Sequence, residues 1–483
     1  MVDESPPAQY AIELAVSGLE DGKRRSLVSA ASRLALLKER NEHWETLQWV
    51  ESRDLPLLQD DIEWQLYGGV LAQSNLLGTM RLYQLPSQYR NIPASSWRIP
   101  LLSNTEDFTM DPAQDLLVLV EKPILIPAHN NTKSYMQIRI HPRSLSTGHA
   151  HPSAVKVIDY RLYMQSAKLE MELSIQTCSK ILAILFIVED NISELMVWNW
   201  QTGELTLRSS SRDITTFAFL TPHLLLVGTV MDETGVTEPR LFVLDISKPS
   251  TKKVALTNDC VCVFGFPSFD FVVSPVTILI RSDPSPGCKP NSEAHVPFSI
   301  AHGQRLFLIT TWVEEKQETV SYDLFVPENV LLSSVMALPP QTRRHVINWN
   351  EWGPTGTRFL KSPPHPHVWT GNVFGSKFVS FVTDTAGRSS QTLQIWDFNQ
   401  LAIKRAAALG FEKEDMRLVN DTTVIKDKVF ARRVRTSLPY TITTRTLPPP
   451  RSPGEPTFTN AMLDEDTIVL VDCDYRRLRV LTF

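Results

Sequence analysis

The stretch Leu195-Met196-Val197-Trp198-Asn199-Trp200 recurs, with changes, as Leu241-Phe242-Val243-Leu244-Asp245-Ile246 and as Leu393-Gln394-Ile395-Trp396-Asp397-Phe398. Each copy is an apolar strand that closes on Asp or Asn and one more apolar residue. That is the pattern of the third strand of a WD-type blade, where the large side chain fills the gap between radial sheets. The short Asp or Asn side chain then bonds nearby backbone N–H groups in the following turn, as Gln201-Thr202-Gly203 and Asn399-Gln400 require.

Working outward, each copy is the second half of a hairpin, and seven such pairs run along the chain. They are Tyr67–Gln73 with Met80–Leu85, Asp115–Glu121 with Met136–His141, and Lys180–Ile187 with Glu194–Trp200. His223–Thr229 with Arg240–Ile246 and Arg305–Trp312 with Ser321–Val326 follow. Lys377–Thr383 with Leu393–Phe398 and Asp466–Asp472 with Arg477–Phe483 complete the series. A hairpin recurring at intervals of tens of residues predicts an all-β fold, a degenerate seven-bladed β-propeller. The intervals are uneven and exceed the roughly 40–45 residues of a consensus WD blade. Long insertions are therefore expected at Leu145–Lys168, Val263–Pro297, Pro339–Pro366 and Leu401–Pro456. The last pair ends at Phe483, so the seventh blade lacks an outer strand, and Thr46–Glu51 is the expected donor.

The chain divides into an N-terminal α-helical arm, 1–45, and the propeller, 46–483. Within the arm, Gln9–Val16 alternates Ile12, Leu14 and Val16 with polar or small residues and reads as strand-like. Gly18 through Gly22 reads as a turn, and Ser26 to Leu47 as a helix. Leu34, Leu37, Asn41 and Trp44 form one stripe at three- and four-residue spacing, which predicts a helix packed against the propeller.

Composition narrows the function classes. The 483 residues carry a net charge of -5, with 33 prolines and 19 glycines. A slightly acidic balance excludes the basic footprint of a nucleic-acid binder. No apolar run approaches the ~18 residues of a membrane-spanning helix. The opening Met1-Val2-Asp3-Glu4-Ser5-Pro6-Pro7 has no signal-peptide character. These features predict an intracellular protein, cytoplasmic or nuclear, in which the sequons at Asn130, Asn191 and Asn420 are chance matches. The five cysteines contain no CxxC pair, so neither a disulfide framework nor a cysteine zinc site is expected. Cys260 and Cys262, two apart, are expected to pack on one face of a strand.

No catalytic motif emerges: the chain has no Gly-rich phosphate loop, no GxSxG and no HExxH. His149-Ala150-His151 and His365-Pro366-His367 offer only two imidazoles each, and Asp60-Asp61-Ile62-Glu63 lacks EF-hand spacing. Asp464-Glu465-Asp466 reads as the turn entering the last blade, and Arg432, Arg433 and Arg435 as a solvated basic loop. The chain is accordingly read as no enzyme, with no metal and no cofactor. Trp349-Asn350-Glu351-Trp352-Gly353-Pro354 places two tryptophans in a proline-flanked insertion. Either indole burial pins this loop to the propeller edge, or Trp349 and Trp352 anchor a partner, as tryptophan does at binding hot spots.

The order of several short motifs adds a resemblance. Gln9-Tyr10-Ala11-Ile12-Glu13-Leu14, Arg33-Leu34-Ala35-Leu36-Leu37 and Trp44-Glu45-Thr46-Leu47 come first. Asp115-Leu116-Leu117-Val118-Leu119-Val120, His141-Pro142-Arg143-Ser144-Leu145-Ser146-Thr147-Gly148 and Val197-Trp198-Asn199-Trp200-Gln201-Thr202-Gly203 follow. Ser282-Asp283-Pro284-Ser285-Pro286, Trp352-Gly353-Pro354 and Leu438-Pro439-Tyr440 close the series. Over nearly its full length the chain resembles the propeller-containing F-box proteins of mushroom-forming fungi. The resemblance implies the substrate-recognition region of a cullin-type ubiquitin ligase receptor, which binds its target and has no active site. No Leu-Pro-x-Glu-Ile-type F-box opening precedes Gln9, so Skp adaptor and cullin are expected partners only with an upstream F-box. The alternatives are an adaptor-independent scaffold and a propeller-fold hydrolase or lyase. Convergent carboxylates or histidines in the channel favour the enzyme, and an aromatic, apolar-cored patch favours the binder.

Overall fold

Runs such as Leu116–Glu121, Ile181–Val188 and Thr467–Asp472 are apolar at nearly every position rather than at alternate ones. A strand reads this way when both of its faces are covered. In the computed structural model each of these runs is a middle strand of an antiparallel sheet of four or five strands, with a neighbouring sheet on either side. The structure describes residues 5–483 except 23–27, 58–60, 76–77, 103, 128–133, 164–170, 189–191, 233–236, 251, 271–272, 288–295, 316–317, 364–370, 384–390, 411–414, 449–455 and 474–475.

Seven blades follow one another around a central channel. Blade 1 spans Asp61–Tyr67 to Ser95–Pro100, blade 2 Thr105–Asp111 to Ile158–Tyr163, and blade 3 Met171–Cys178 to Leu205–Ser211. Blade 4 runs from Ile214–Thr221 to Cys262–Gly265 and gains a fifth, parallel strand, His345–Ile347. Blade 5 runs from Ser274–Arg281 to Arg358–Lys361. Blade 6 runs from Val373–Phe374 to Tyr440–Leu447 and carries Met416–Val419 on its outer edge. The seven hairpins read from the sequence are the second and third strands of these blades.

Blade 7 is built from both ends of the chain. Phe458–Leu463, Thr467–Asp472 and Arg477–Thr482 come from the C-terminal end, and Glu51–Pro56 pairs with Arg477–Thr482 as the outer strand. The closure is of the expected kind, but its position is corrected. Of Thr46–Glu51, only Glu51 lies in the strand. Thr46 ends a helix, and Leu47 is its left-handed cap at φ 49°, fully buried. The alternation of Leu47, Trp49 and Glu51 therefore reflects a helix end packed into the core. Leu55, 6% exposed among Leu66, Leu71 and Leu478, is the apolar anchor of the closing strand. Leu55→Ala is expected to cost about 2–4 kcal/mol, measured as a lowered urea midpoint with unchanged slope.

The arm comprises α1 (Pro6–Ser17) and α2 (Ala30–Thr46). The strand-like reading of Gln9–Val16 is overturned, since these residues belong to α1. Proline at the first helical positions and Gly18 in the left-handed conformation at the end are helix start and stop signals. Tyr10 and Leu14, four apart, make the buried face, while Ile12 is 48% exposed. The stretch after Gly18 includes a strand, Leu19–Asp21, which pairs with Phe298–Ile300 from the first insertion of blade 5. In α2 the predicted stripe faces the propeller. Leu34, Leu37 and Trp44 are buried, and the Trp44 indole stacks on Phe483 with centroids 4.2 Å apart. Asn41 of the same stripe donates to the Ser17 hydroxyl. Among the described residues no helix is long and apolar enough to cross a membrane.

Candidate binding cavity

The turns joining the first and second strands of the blades all lie on one face of the ring, and the arm is docked there. The last of these turns is Asp464-Glu465-Asp466, which joins strands within blade 7 rather than leading into it. Asp466 is 2% exposed and accepts from Arg40 Nε of α2 at 3.1 Å, Arg90 Nε at 2.6 Å and Ser87 Oγ at 2.6 Å. Burial acts to raise the pKa of its carboxyl. The Arg90 and Arg40 guanidiniums and the Ser87 hydroxyl outweigh burial and hold it at about 2. Glu465 accepts from Arg90 Nη1 at 3.0 Å through its side chain and from Arg40 Nη2 at 2.7 Å through its carbonyl. Burial wins there and pushes its carboxyl up to about 7, with Arg90 opposing. One turn thus ties the arm, blade 1 and blade 7 together.

Beside this turn opens a cavity of about 220 Å³. Tyr67, Trp97, Ile300 and Phe374 form its apolar walls, and Asp111, Asp115, Glu465 and Arg90 its polar ones. Local sequence explains each placement. Gly68 and Gly69, at φ 58° and 78°, allow the two-residue turn after Tyr67. Trp97 is fixed on the outer strand of blade 1 by its indole N–H, which donates to the Leu145 carbonyl at 3.0 Å. Asp111 ends the first strand of blade 2 and caps the short turn that follows, accepting from Ala113 N at 3.0 Å and Gln114 Nε2 at 2.6 Å. Burial raises the Asp111 carboxyl above its ordinary range. Asp115 accepts from Ser144 Oγ at 2.5 Å, Ser146 N at 2.7 Å and Ser146 Oγ at 3.0 Å. Gly68 and Ser146 are exposed at the cavity's rim.

The channel itself is a second space, about 350 Å³, lined by the first strands of the blades. Burial, with Glu63 nearby, raises Asp107 to about 7, and Glu63 is raised by burial and by Glu106. Deeper in the channel, burial and Asp464 raise Asp283 to about 7, against Arg305. The sign of the pH effect follows. A carboxyl raised in the folded state favours folding fully below its unfolded pKa, and that contribution is lost as pH climbs through the folded value. Asp283→Asn removes the charge at similar shape. It is expected to leave the melting midpoint at pH 4 unchanged and to raise it at pH 8 by about 1–3 °C, from roughly 1–2 kcal/mol. Calorimetry at the two pH values measures both.

The two tryptophans singled out from the sequence lie elsewhere. They belong to the helix Trp349–Gly356 at the edge of blades 4 and 5. Trp352 is 3% exposed, donates to the Gly265 carbonyl at 3.1 Å and meets Phe264 edge-on at 5.1 Å. Trp349, half-buried, stands edge-on to Trp352 at 5.3 Å. Cys260 and Cys262 are both fully buried but do not share a face, because Cys260 caps a short helix and Cys262 begins the strand. They pack into different interblade cores, and burial pushes the Cys262 thiol up to about 12. His149 is exposed. His151 Nε2 lies 3.1 Å from the Gln114 carbonyl, and its ring is edge-on to Trp200. His365 and His367 lie outside the described residues, as do Asp60, Asn130 and Asn191. Arg432, Arg433 and Arg435 are exposed. Among the described residues no group of three or more His, Cys, Asp or Glu comes together as a metal site.

No protein-family model matches the chain, and no curated protein matches it. Among solved structures it is similar to BamB from Moraxella catarrhalis, at 11% identity over 90% of this chain and 99% of that one, with a TM-score of 0.34. The Nup133 β-propeller domain of Vanderwaltozyma polyspora gives 9% identity, 90% and 98% coverage and a TM-score of 0.34. Sqt1 from Chaetomium thermophilum gives 12%, 86% and 80% with 0.35. Likeness at this level carries no functional argument, and the seven blades are read from the chain's own strand pairing.

The cavity residues were missed in the sequence because they come from blades 1, 2, 6 and 7 and from the first insertion of blade 5. The available signals were the double glycine at Gly68-Gly69 and the Asp111-Pro112 turn one blade on. Both mark the same face of adjacent blades.

Proposed function

We propose that this propeller is a protein-interaction module and that the cavity formed by blades 1, 2, 6 and 7 and the blade 5 insertion receives a side chain of its partner. One observation carries the reading: an aromatic-walled cavity of about 220 Å³ that opens to solvent at Gly68 and Ser146. Ligand pockets for small molecules usually measure roughly 300–1,000 Å³, so this one suits a single anchoring side chain. The resemblance to fungal F-box proteins supports the finer reading, the substrate-recognition region of a ubiquitin ligase receptor. Ala113→Phe tests the surface, because it fills the cavity while keeping the backbone N–H that Asp111 binds. Affinity purification from a basidiomycete extract should recover a stoichiometric partner with the native protein and lose it with Ala113→Phe. A partner set identical for both proteins refutes the reading. Skp adaptor and cullin among the recovered proteins support the ligase role, and their absence beside a cavity-dependent partner leaves the scaffold.

A second reading draws on the channel carboxylates. Asp107, raised to about 7 with Glu63 beside it, has the protonation range of a general acid. A hydrolase or lyase built on this pair should turn over members of a panel of aryl glycosides and esters and lose that turnover in Asp107→Asn. No turnover by the native protein removes this reading.

A further inference from the structure

We propose that the cavity selects a cationic side chain, an arginine, on the partner protein. This rests on the interaction reading above and adds the chemistry of the anchor. The charge around the cavity is unbalanced. Three acidic side chains line it, those of Asp111, Asp115 and Glu465, against one guanidinium, that of Arg90, which Glu465 already pairs with, so the unbalanced acids are Asp111 and Asp115. Arg90 is already engaged, since it binds both Asp466 and Glu465. Asp111 and Asp115 take hydrogen bonds from backbone N–H groups, serine hydroxyls and the Gln114 amide, and among the described residues neither pairs with a cation. An anionic or purely apolar guest leaves these charges uncompensated in a partly buried space, and a cation neutralises them.

The apolar walls point the same way. Tyr67, Trp97 and Phe374 line the space with the carboxylates, so a cation entering it meets aromatic rings as well as anions. Arginine fits better than lysine. Its planar guanidinium stacks on an indole, bonds carboxylate oxygens in pairs, and loses less hydration on burial.

The probe is N-acetyl-arginine amide, with the isosteric, neutral N-acetyl-citrulline amide as control. Binding is followed by Trp fluorescence and saturation-transfer NMR on the full chain. Saturable binding of the arginine compound is expected, at least tenfold tighter than that of the citrulline compound. The double variant Asp111→Asn/Asp115→Asn, which keeps one acceptor oxygen at each position, should weaken it at least tenfold. Ala113→Phe, which leaves both carboxylates in place, should abolish it and covers the case in which the double variant fails to fold. Equal binding of the two compounds, no saturable binding of the arginine compound, or binding indifferent to Ala113→Phe overturns the proposal. These outcomes do not depend on any partner being found. A cavity-dependent partner combined with equal arginine and citrulline binding sinks the arginine anchor alone. Arginine selectivity without such a partner sinks the interaction reading alone.

Discussion

Asp466→Ala is expected to lower the unfolding free energy by about 3–5 kcal/mol, because it strips a buried carboxylate from two buried guanidiniums. Asp466 is bound by Arg40 of α2 and by Arg90 of blade 1, and all three side chains are no more than 10% exposed. Arg90 keeps Glu465 after the change. Among the described residues Arg40 then keeps the Glu465 carbonyl as its hydrogen-bond acceptor, so the arm should loosen first. Arg40→Ala should cost less, about 2–3 kcal/mol, because Asp466 then retains Arg90 and Ser87. Chemical denaturation gives the energies, and limited proteolysis reports release of α1 and α2. The pH dependence has a definite sign. The Asp466 carboxyl is held at about 2, below its ordinary value of 3.8. Its contribution is therefore full above pH ~4 and is lost as pH falls towards 2. The gap between native protein and variant should narrow over that window by roughly 2 kcal/mol. A gap below 1 kcal/mol at pH 7 would refute the account.

Arg305→Ala is the second large effect, again about 3–5 kcal/mol. Arg305 and Glu328 are each about 5% exposed and form a two-point pair, Nε to Oε2 at 3.0 Å and Nη2 to Oε1 at 3.1 Å. Nη2 also donates to the Phe219 and Leu220 carbonyls of blade 4, and Nη1 to the Pro284 carbonyl. The pair thus joins blades 4 and 5 at the channel wall. Removing the guanidinium leaves a buried carboxylate without its cation and takes a donor from each of three carbonyls. In Arg305→Met/Glu328→Leu the carboxylate is gone but the carbonyls remain. The double variant should recover about half of the loss. Full additivity of the two single changes in a double-mutant cycle would show that the pair is not the source of the stability.

The sequence revealed those strands whose environment is uniform. A second or third strand lies between two neighbouring sheets, so Ile181–Val188 is apolar throughout and stands out. First strands line the channel and mix characters, as Thr105–Asp111 does with Glu106, Asp107 and Phe108. Outer strands such as Ser95–Pro100 are exposed at four of six positions and resemble loops. The stretches read as insertions therefore conceal strands. Val263–Pro297 contains the first strand of blade 5, Pro339–Pro366 its last, and Leu401–Pro456 the outer strand of blade 6. Alternation misled at α1, where two apolar residues four apart were also two steps along a supposed strand. The acidic turn was readable as a turn. Its ties to Arg40 and Arg90 were not, because charged partners hundreds of residues away leave no local pattern. The same holds for the cavity, whose walls meet only after the ring has closed.

The outer strand of blade 7 is synthesised before the other six blades, and the strand it pairs with is synthesised after them. Until Arg477–Thr482 has been made, Glu51–Pro56 waits without its strand partner. The arm waits as well, since Trp44 rests on Phe483 and Arg40 on Asp466. Six blades can form before those residues emerge, but the seventh, the docked arm and the cavity beside them must assemble later and together. Such distant pairing is slow and leaves exposed strand edges during the delay. A nascent chain stalled before residue 458 would thus be the form most in need of a chaperone.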